Sequence, residues 1–365
     1  TGQTPRPRGF NFLEVEAAHE AERVASEFVA TLRALFPGQT GPRMDHFLRN
    51  GLLTLLRVPP KTILDLQPLF SDEDYRERVL DQMRRRAPDP LLERFWETEF
   101  ADAQGRMGEI LGPILNKIGA LTSYRGLRLL FGQERSTVNL RRAMDRGEIV
   151  LVDASGCGPD ELKLLLGLFV VRFHFAALSR ADTPPGARRP FLLFCDEVHN
   201  YAVPTIEKIL AEDRKYGLGL VLATQYLEQM PQDVLGAIMG NVNTVWLLQL
   251  GAPSAQAMAR WLKPDFTEHD LCNQPQFCAA VRTVGPDGSS VSFTVRCDPV
   301  GDGDDAARRR ALAASDARDG RDAAEVEAEV DARLSGRRPE PTDPSGEPRG
   351  RAGARGRGRR GGGAP

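Results

Sequence analysis

The sequence has few cysteines, and their pattern excludes two kinds of site. Five occur in 365 residues, an odd number at irregular spacing. Such a pattern does not build a disulfide framework and favours a reducing compartment. Cys272 and Cys278 lie close together, but no second pair and no histidine cluster accompanies them in the sequence. We therefore exclude a zinc site.

Long uninterrupted hydrophobic runs and a recognisable signal peptide are also lacking. The most apolar stretch, from Glu161 to Ala177, is interrupted by Lys163, Arg172 and His174. Because membrane spans rarely carry such side chains unpaired, we predict a buried helix that packs on a sheet. A hydrophobic content of 41% is enough for a sizeable core, so we expect two domains and a tail.

An initiator methionine and a phosphate-binding loop are both absent. The chain begins at Thr1 and its first methionine is Met44, so we expect the intact protein to extend upstream. None of the lysines follows a glycine, as the phosphate loop G-x-x-x-x-G-K-[ST] of nucleoside-triphosphate hydrolases requires. Such a loop either lies upstream of Thr1 or has been lost.

The pattern of predicted elements changes near residue 147. Residues 41–140 show only helical patterns, and Ser71–Asp74 has the spacing of a capping box, which predicts a helix start at Ser71. Alternating strands and helices follow, which is typical of a mostly parallel sheet with helices on both faces. Strands are predicted at 148–153, 191–195, 218–224 and 244–250, helices at 204–216 and 231–239, and an edge hairpin at 280–284 and 291–297.

Beyond about residue 301 the composition no longer supports a core. Asp, Arg and Ala dominate there, so we predict disorder over 301–365, with at most a solvated helix over Ala323–Leu334. The final stretch is a candidate for binding single-stranded nucleic acid, and a solubilising end is the alternative. Its arginines, set among glycines with no acid, are Arg349, Arg351, Arg355, Arg357, Arg359 and Arg360.

The strand predicted at 191–195 runs into two carboxylates, Asp196 and Glu197. Open α/β sheets bind ligands at the carboxyl ends of their strands. In nucleoside-triphosphate hydrolases this arrangement is the Walker B element, whose Asp holds Mg²⁺ and whose Glu orients and deprotonates the attacking water. A buried strand that ends in a solvated acidic turn is the alternative.

Two further polar residues follow at the ends of the next elements. Arg214 either reaches the site of a neighbouring subunit or complements the dipole at the end of its own helix. Gln225 either contacts the γ-phosphate or its water, or caps its strand. A ring-forming ATPase is favoured by this order of residues on adjacent elements, in which the two acids come first, then Arg214 and then Gln225.

Several segments resemble the TraG/TraD-like conjugative coupling ATPases of type IV secretion, which belong to the HerA–FtsK group of DNA-pumping motors. Gly41–Asn50 is similar to the start of the helical domain of that family, and Phe266–Leu271 to a late segment. The resemblance covers about residues 9–300 and lacks the Walker A loop. Its strongest segments are 191–201, 213–218, 222–229 and 240–244.

The resemblance implies an α/β fold, a RecA-like P-loop NTPase core with an inserted all-α domain. Residues 1–40 would be an N-terminal remnant of the core, and residues 41–140 the inserted domain. Residues 141–300 would be the C-terminal part of the core, and residues 301–365 the tail.

The resemblance also implies a function, an ATP-driven motor that translocates DNA as a homo-hexameric ring. Asp196 would bind Mg²⁺, Glu197 would activate water, Arg214 would act in trans, and Gln225 would couple nucleotide state to movement. The DNA would be single- or double-stranded. The partners would be relaxosome and secretion-channel components at the cytoplasmic face of the bacterial inner membrane. Without a phosphate loop, this chain alone is expected to be inactive.

Two alternatives to this function remain open from the sequence. A HerA-like DNA repair motor belongs to the same class, and a non-catalytic recruiting subunit with a decayed ATP site belongs to another.

The arginines of the helical region either face DNA or cargo or are ordinary solvated side chains, and the interspersed acids favour the second reading. These arginines are Arg43, Arg49, Arg76, Arg78, Arg84, Arg85 and Arg86.

Overall fold

The computed structural model describes residues 6–15 and 18–334. Helices predominate in that part of the chain, and the strands form two short sheets. The α-helices are α1 Ala21–Leu35, α2 Pro42–Arg57, α3 Leu66–Ser71, α4 Glu73–Arg86, α5 Pro90–Arg94, α6 Ala101–Ala103, α7 Met107–Ser123, α8 Arg125–Phe131, α9 Leu140–Arg146, α10 Pro159–Ser179, α11 Thr205–Glu212, α12 Gln232–Asn241, α13 Ala252–Leu262, α14 Glu268–Cys272, α15 Asp305–Asp319 and α16 Ala323–Leu334. The strands are β1 Phe191–Cys195, β2 Leu218–Leu222, β3 Val245–Leu247, β4 Cys278–Val284 and β5 Ser290–Arg296.

β1 and β2 form a two-stranded parallel sheet in which Cys195 lies opposite Leu222. Parallel neighbouring strands need a crossover connection, and here α11 provides it between β1 and β2. Cys195 is buried, whereas Leu192 and Phe194 on the opposite face are 56% and 70% exposed. The predicted parallel pairing is confirmed for these two strands, and the parallel sheet is small.

β3, β4 and β5 form a separate antiparallel sheet. β4 and β5 make the predicted hairpin, with Cys278 opposite Arg296 and with Gly288 at a φ of 82° in the turn. β3 pairs antiparallel with β4. The prediction that β3 belongs to the parallel sheet of β1 and β2 is therefore wrong for the described residues. The prediction that the hairpin lies at the edge of that sheet is wrong for the same reason.

The strand predicted at 148–153 is also wrong, because the structure forms no strand there. Ile149 and Leu151 are 84% and 86% exposed. A short apolar run such as residues 149–152 is compatible with a strand, but a strand also needs a neighbouring edge that accepts its hydrogen bonds. The sequence pattern carried no information on whether such an edge is available.

Regular structure within residues 41–140 is helical, as predicted. The predicted helix start at Ser71 is wrong, because Ser71 ends α3 and the next residue caps α4. Asp72 accepts a hydrogen bond of 2.9 Å from the backbone N–H of Tyr75. The buried side chains of this region belong to the same core as those of α1, α10 and β1. A separate inserted domain therefore stays a prediction.

α10 is a core helix. Leu164, Leu168 and Val171 are buried. Residues Pro159–Asp182 are long and apolar enough to cross a membrane, but most of that stretch is buried inside the protein. Of the polar residues that interrupt it, Arg172 donates to the backbone carbonyl of Glu14 at 2.9 Å, and His174 is bonded to a buried carboxylate. The predicted buried helix is confirmed.

α15 and α16 correct the prediction of disorder over residues 301–334. Val326 and Val330 of α16 are buried against Leu129 of α8. Arg333 donates to the fully buried carboxylate of Asp65 at 2.7 Å. A narrow apolar stripe is enough for folding here because the rest of the protein supplies the opposing surface. The arginine-rich tail from Arg349 to Arg360 lies outside the described residues.

Candidate functional site

The carboxyl ends of β1 and β2 lie side by side. The backbone N–H of Ala223 donates to the carbonyl of Cys195 at 2.9 Å, and the N–H of Val198 donates to the carbonyl of Ala223 at 3.0 Å. These bonds extend the parallel ladder past the last strand residues. The sequence after β1 is thereby placed against the sequence after β2, where α/β sheets place their ligands.

This register brings two of the predicted residues into direct contact. Nε2 of Gln225 donates a hydrogen bond to Oε1 of Glu197. Asp196 is exposed beside them, and its Oδ1 accepts from the backbone N–H of Glu197 at 3.0 Å. Asp196, Glu197 and Gln225 therefore share one edge of the sheet, with carboxylate oxygens accessible.

The backbone at Glu197 has an unusual conformation. Its φ of 48° lies in the left-handed region, which residues with side chains seldom occupy and which is often found at functional sites. Tyr201 supports the turn, since its hydroxyl donates to the carbonyl of Asp196 at 2.8 Å. Burial raises the pKa of Tyr201 further above neutral pH, where a tyrosine hydroxyl is already protonated and able to donate. Burial also raises the pKa of the Cys195 thiol to about 11.

Arg214 lies away from this edge. It precedes β2 in a 3₁₀ turn, Asp213–Tyr216, whereas Gln225 follows β2. The five residues of β2 separate the two ends by roughly 13 Å of strand. The guanidinium is exposed and makes no ion pair or hydrogen bond within the described residues. The structure thus does not bring Arg214 to the acid pair of its own chain.

Buried polar groups hold the turn that carries Arg214. Oδ2 of Asp213 lies 2.8 Å from Nδ1 of His174, and both side chains are buried. Burial raises the pKa of Asp213, and the hydrogen bond with His174 opposes that effect. Arg180 is fully buried and donates to the carbonyl of Tyr216 at 2.8 Å.

Sequence reasoning missed the residues that surround Glu197. His199 lies against the carboxylate of Glu197 and the hydroxyl of Thr224. Tyr201 holds the turn through its hydrogen bond to the carbonyl of Asp196. The available signal was their position, because a histidine two residues after an acid pair and a threonine before Gln225 fall on the same strand ends.

One of the helical-region arginines is not available to a ligand. Arg76 is buried, and its guanidinium lies 4.6 Å from the ring centroid of Phe100. The proposal that Arg76 faces DNA is therefore wrong. Arg84 pairs with Asp81 at 3.2 Å, which agrees with the alternative of ordinary solvated side chains.

Comparison with known proteins places the candidate site residues in a segment that a family model matches. Residues 190–262 match the family model described as the TraM recognition site of TraD and TraG. The matched residues include Asp196, Glu197, Arg214 and Gln225. The resemblance to TraG/TraD-like coupling proteins is confirmed.

The fold is similar to that of a solved bacterial conjugative coupling protein, TrwBdeltaN70, in a trigonal form in complex with sulphate. The two chains superimpose with a TM-score of 0.53 at 14% sequence identity, over 82% of this chain and 74% of the other. No curated protein matches the sequence. At this identity the structural comparison supports the α/β fold, and the family match independently identifies the segment that contains the candidate site.

Proposed function

We propose that this protein is part of an ATP-driven motor that translocates DNA in conjugative transfer. The observation that carries the proposal is the hydrogen bond between Gln225 and Glu197 at the adjoining carboxyl ends of β1 and β2. A carboxylate and an amide at this edge can respectively accept a proton from water and report on what is bound.

The residues present fit one part of a Mg²⁺–ATP site. In the described part of the chain, no three His, Cys, Asp or Glu side chains form a cluster able to hold a metal. Mg²⁺ bound to a nucleotide needs only one or two carboxylates, because phosphates and waters complete its shell. The exposed carboxylate of Asp196 meets that requirement. When bound, Mg²⁺ would supply neutralisation of phosphate charge.

Glu197 would hold and deprotonate the attacking water. Its Oε1 already accepts from Gln225, so the carboxylate is restrained on one side. The left-handed backbone at Glu197 contributes a second restraint, since it sets the direction in which the side chain leaves the turn. Gln225 would then couple the state of the site to β2 and to the turn that precedes this strand.

Arg214 would act in trans, which requires a ring such as a homo-hexamer. It is exposed and lies at the opposite end of β2 from Gln225. His174 and Arg180 hold the turn from inside the protein, so the guanidinium projects from a rigid support. An arginine supplied by a neighbouring subunit can accelerate phosphoryl transfer by about 10³–10⁵.

The proposed partners are DNA and a relaxosome protein. The matched family segment is described as a recognition site for TraM, and in this chain it contains the whole candidate site. We further propose a position at the cytoplasmic face of the bacterial inner membrane, with association through protein outside residues 1–365.

The motor also requires a phosphate loop from outside residues 1–365, because none of the lysines in this sequence follows a glycine. The exposed apolar side chains of β1 support such an addition. Leu192 and Phe194 form a face that a complete ATPase core would cover. This chain alone is accordingly expected not to hydrolyse ATP.

The test is ATP hydrolysis by the product of the complete reading frame, with and without DNA. Glu197→Gln should slow turnover by about 10²–10⁴ while nucleotide binding persists, because the base is lost and the shape is kept. Glu207→Gln is the matched control, since Glu207 is an exposed acid within α11 and does not lie at a strand end.

Two results would contradict the proposal. The first is the absence of turnover in the complete protein under conditions in which it binds DNA. The second is turnover that Glu197→Gln and Glu207→Gln affect equally. Either result would leave a recruiting subunit without catalytic function as the better description.

A further inference from the structure

His199 occupies a buried position between the two strand ends. It lies in the 3₁₀ turn Val198–Asn200 that follows β1, and its side chain is 6% exposed. Its Nδ1 is 3.0 Å from Oγ1 of Thr224 and 3.4 Å from Oε2 of Glu197. One ring nitrogen therefore meets a residue from each strand end.

The carboxylate of Glu197 is held from two sides. Gln225 donates to Oε1, and the ring of His199 lies beside Oε2. The two contacts address different oxygens, so together they restrict both the position and the rotation of the carboxylate plane. A base that must orient a water benefits from this restriction.

We propose that His199 is a positioning residue for Glu197, with its Nδ1–H shared between Thr224 Oγ1 and Glu197 Oε2. The inference rests on the proposed function, in which Glu197 activates water. It names a residue that acts through Glu197 rather than on the substrate.

The hydrogen-bond arrangement determines which ring nitrogen carries the proton. An ionised carboxylate can only accept, and Oγ1 of Thr224 already accepts from the backbone N–H of Tyr226 at 3.2 Å. A proton on Nδ1 satisfies both neighbours of the ring. A proton on Nε2 would instead leave Nδ1 as an acceptor from Thr224, with no link to Glu197.

A packing role makes a different prediction. The ring of His199 meets that of Tyr226 edge to face, with centroids 5.4 Å apart and an interplanar angle of 82°. If this contact were the whole role of His199, an apolar side chain would replace the imidazole. The identity of the protonated nitrogen would then be independent of Glu197.

The first test is nitrogen-15 NMR of the five histidine rings in the 365-residue chain, with His199→Asn used for assignment. We expect His199 as the Nδ1–H tautomer, and a change at His199 but not at His174 when Glu197 is replaced by Ala. His174, whose Nδ1 lies 2.8 Å from Asp213, is an internal reference for a fold-dependent ring, and exposed His269 is a reference for a solvated one.

An Nε2–H tautomer at His199, or spectra that Glu197→Ala leaves unchanged there, would overturn the inference. The unchanged His174 signal shows in each variant that the protein is folded. This readout needs no ATP hydrolysis, so it decides the positioning of Glu197 even if the proposed function fails.

The second test uses the complete protein in the ATPase assay. His199→Leu should lower kcat by about 10-fold with KM unchanged, by analogy with other residues that orient a catalytic side chain. His199→Asn should restore most of the rate, because its amide nitrogen is a donor near the place of Nδ1. If Glu197→Gln slows turnover but His199→Leu does not, the positioning role fails and the proposed function stands.

Discussion

Nδ1 of His174 on α10 lies 2.8 Å from Oδ2 of Asp213, the residue directly before Arg214. Both side chains are buried, and this bond joins the core helix to the exposed turn. Arg180, from the 3₁₀ turn that follows α10, holds the same turn through the carbonyl of Tyr216. The arginine proposed to act in trans therefore stands on a support made of buried polar contacts.

We expect His174→Leu to lower the free energy of unfolding by about 3 kcal/mol, since it leaves the carboxyl of Asp213 buried without its partner. Urea unfolding followed by circular dichroism measures the change. His269→Leu is the matched control, because His269 is exposed and its replacement should change stability by less than about 0.5 kcal/mol. Equal effects of the two substitutions would contradict the role of the pair.

Arg180→Met should lower the free energy of unfolding by about 3 kcal/mol, because the guanidinium also donates to the carbonyl of Arg189 at 2.8 Å and to Asp145 at 3.0 Å. Arg214→Ala should change stability by less than about 0.5 kcal/mol, since its side chain is exposed. Hydrogen exchange should accelerate over residues 213–218 in Arg180→Met alone. Unaltered exchange there would refute the claim that Arg180 holds the turn.

The docking of α16 can be tested with two arginines of the C-terminal region. Arg333→Ala should lower the free energy of unfolding by about 3 kcal/mol, because the fully buried Asp65 carboxylate loses the cation that pairs with it. Arg321→Ala should cost at most about 1 kcal/mol, since its partner Glu329 is exposed. Chemical denaturation of both variants gives the comparison. A larger loss for Arg321→Ala would mean that α16 is not held through Asp65.

Cys195 should be the slowest of the five cysteines to react with iodoacetamide. A pKa of about 11 leaves a thiolate fraction at pH 8 that is about 200-fold below that of an ordinary thiol. Because pH 8 lies below this pKa, the rate at Cys195 should rise about tenfold per pH unit up to about pH 10. Mass spectrometry of each alkylated peptide measures the rates.

Unfolding in guanidinium is the control, since it should make the five rates similar. Labelling of Cys195 in the folded protein as fast as that of Cys272, which is only partly buried, would show that the β1 strand is not packed as described.

Local patterns in the sequence were sufficient for the centre of the candidate site. β1 was predicted from a short apolar run and β2 from another. Asp196 and Glu197 follow β1 directly, and Gln225 follows β2 after Ala223 and Thr224. Parallel strands joined by a helix end at the same edge, so the proximity of Glu197 and Gln225 followed from element order. The roles of these residues stay predictions.

The remaining features depend on surfaces that are distant in sequence. Apolar runs at 148–153 and at Val245–Leu247 indicated strands, but neither run specified which strand edge it would pair with. Arg76 is a charged residue among other charged residues, which predicts a solvated side chain, and only its contact with the ring of Phe100 in the folded protein shows otherwise. In the same way, α16 was judged by its own narrow stripe without the opposing α8.

The sequence by itself determined the helical character of residues 41–140, the strands β1 and β2 with the polar residues after them, and the resemblance to coupling proteins, because these are properties of neighbouring residues. Only the tertiary structure decided that the strands divide into two sheets, that Arg333 of α16 pairs with Asp65, and that His199 lies against Glu197. Pairing and burial depend on which complementary surfaces meet, and a linear pattern does not specify that choice.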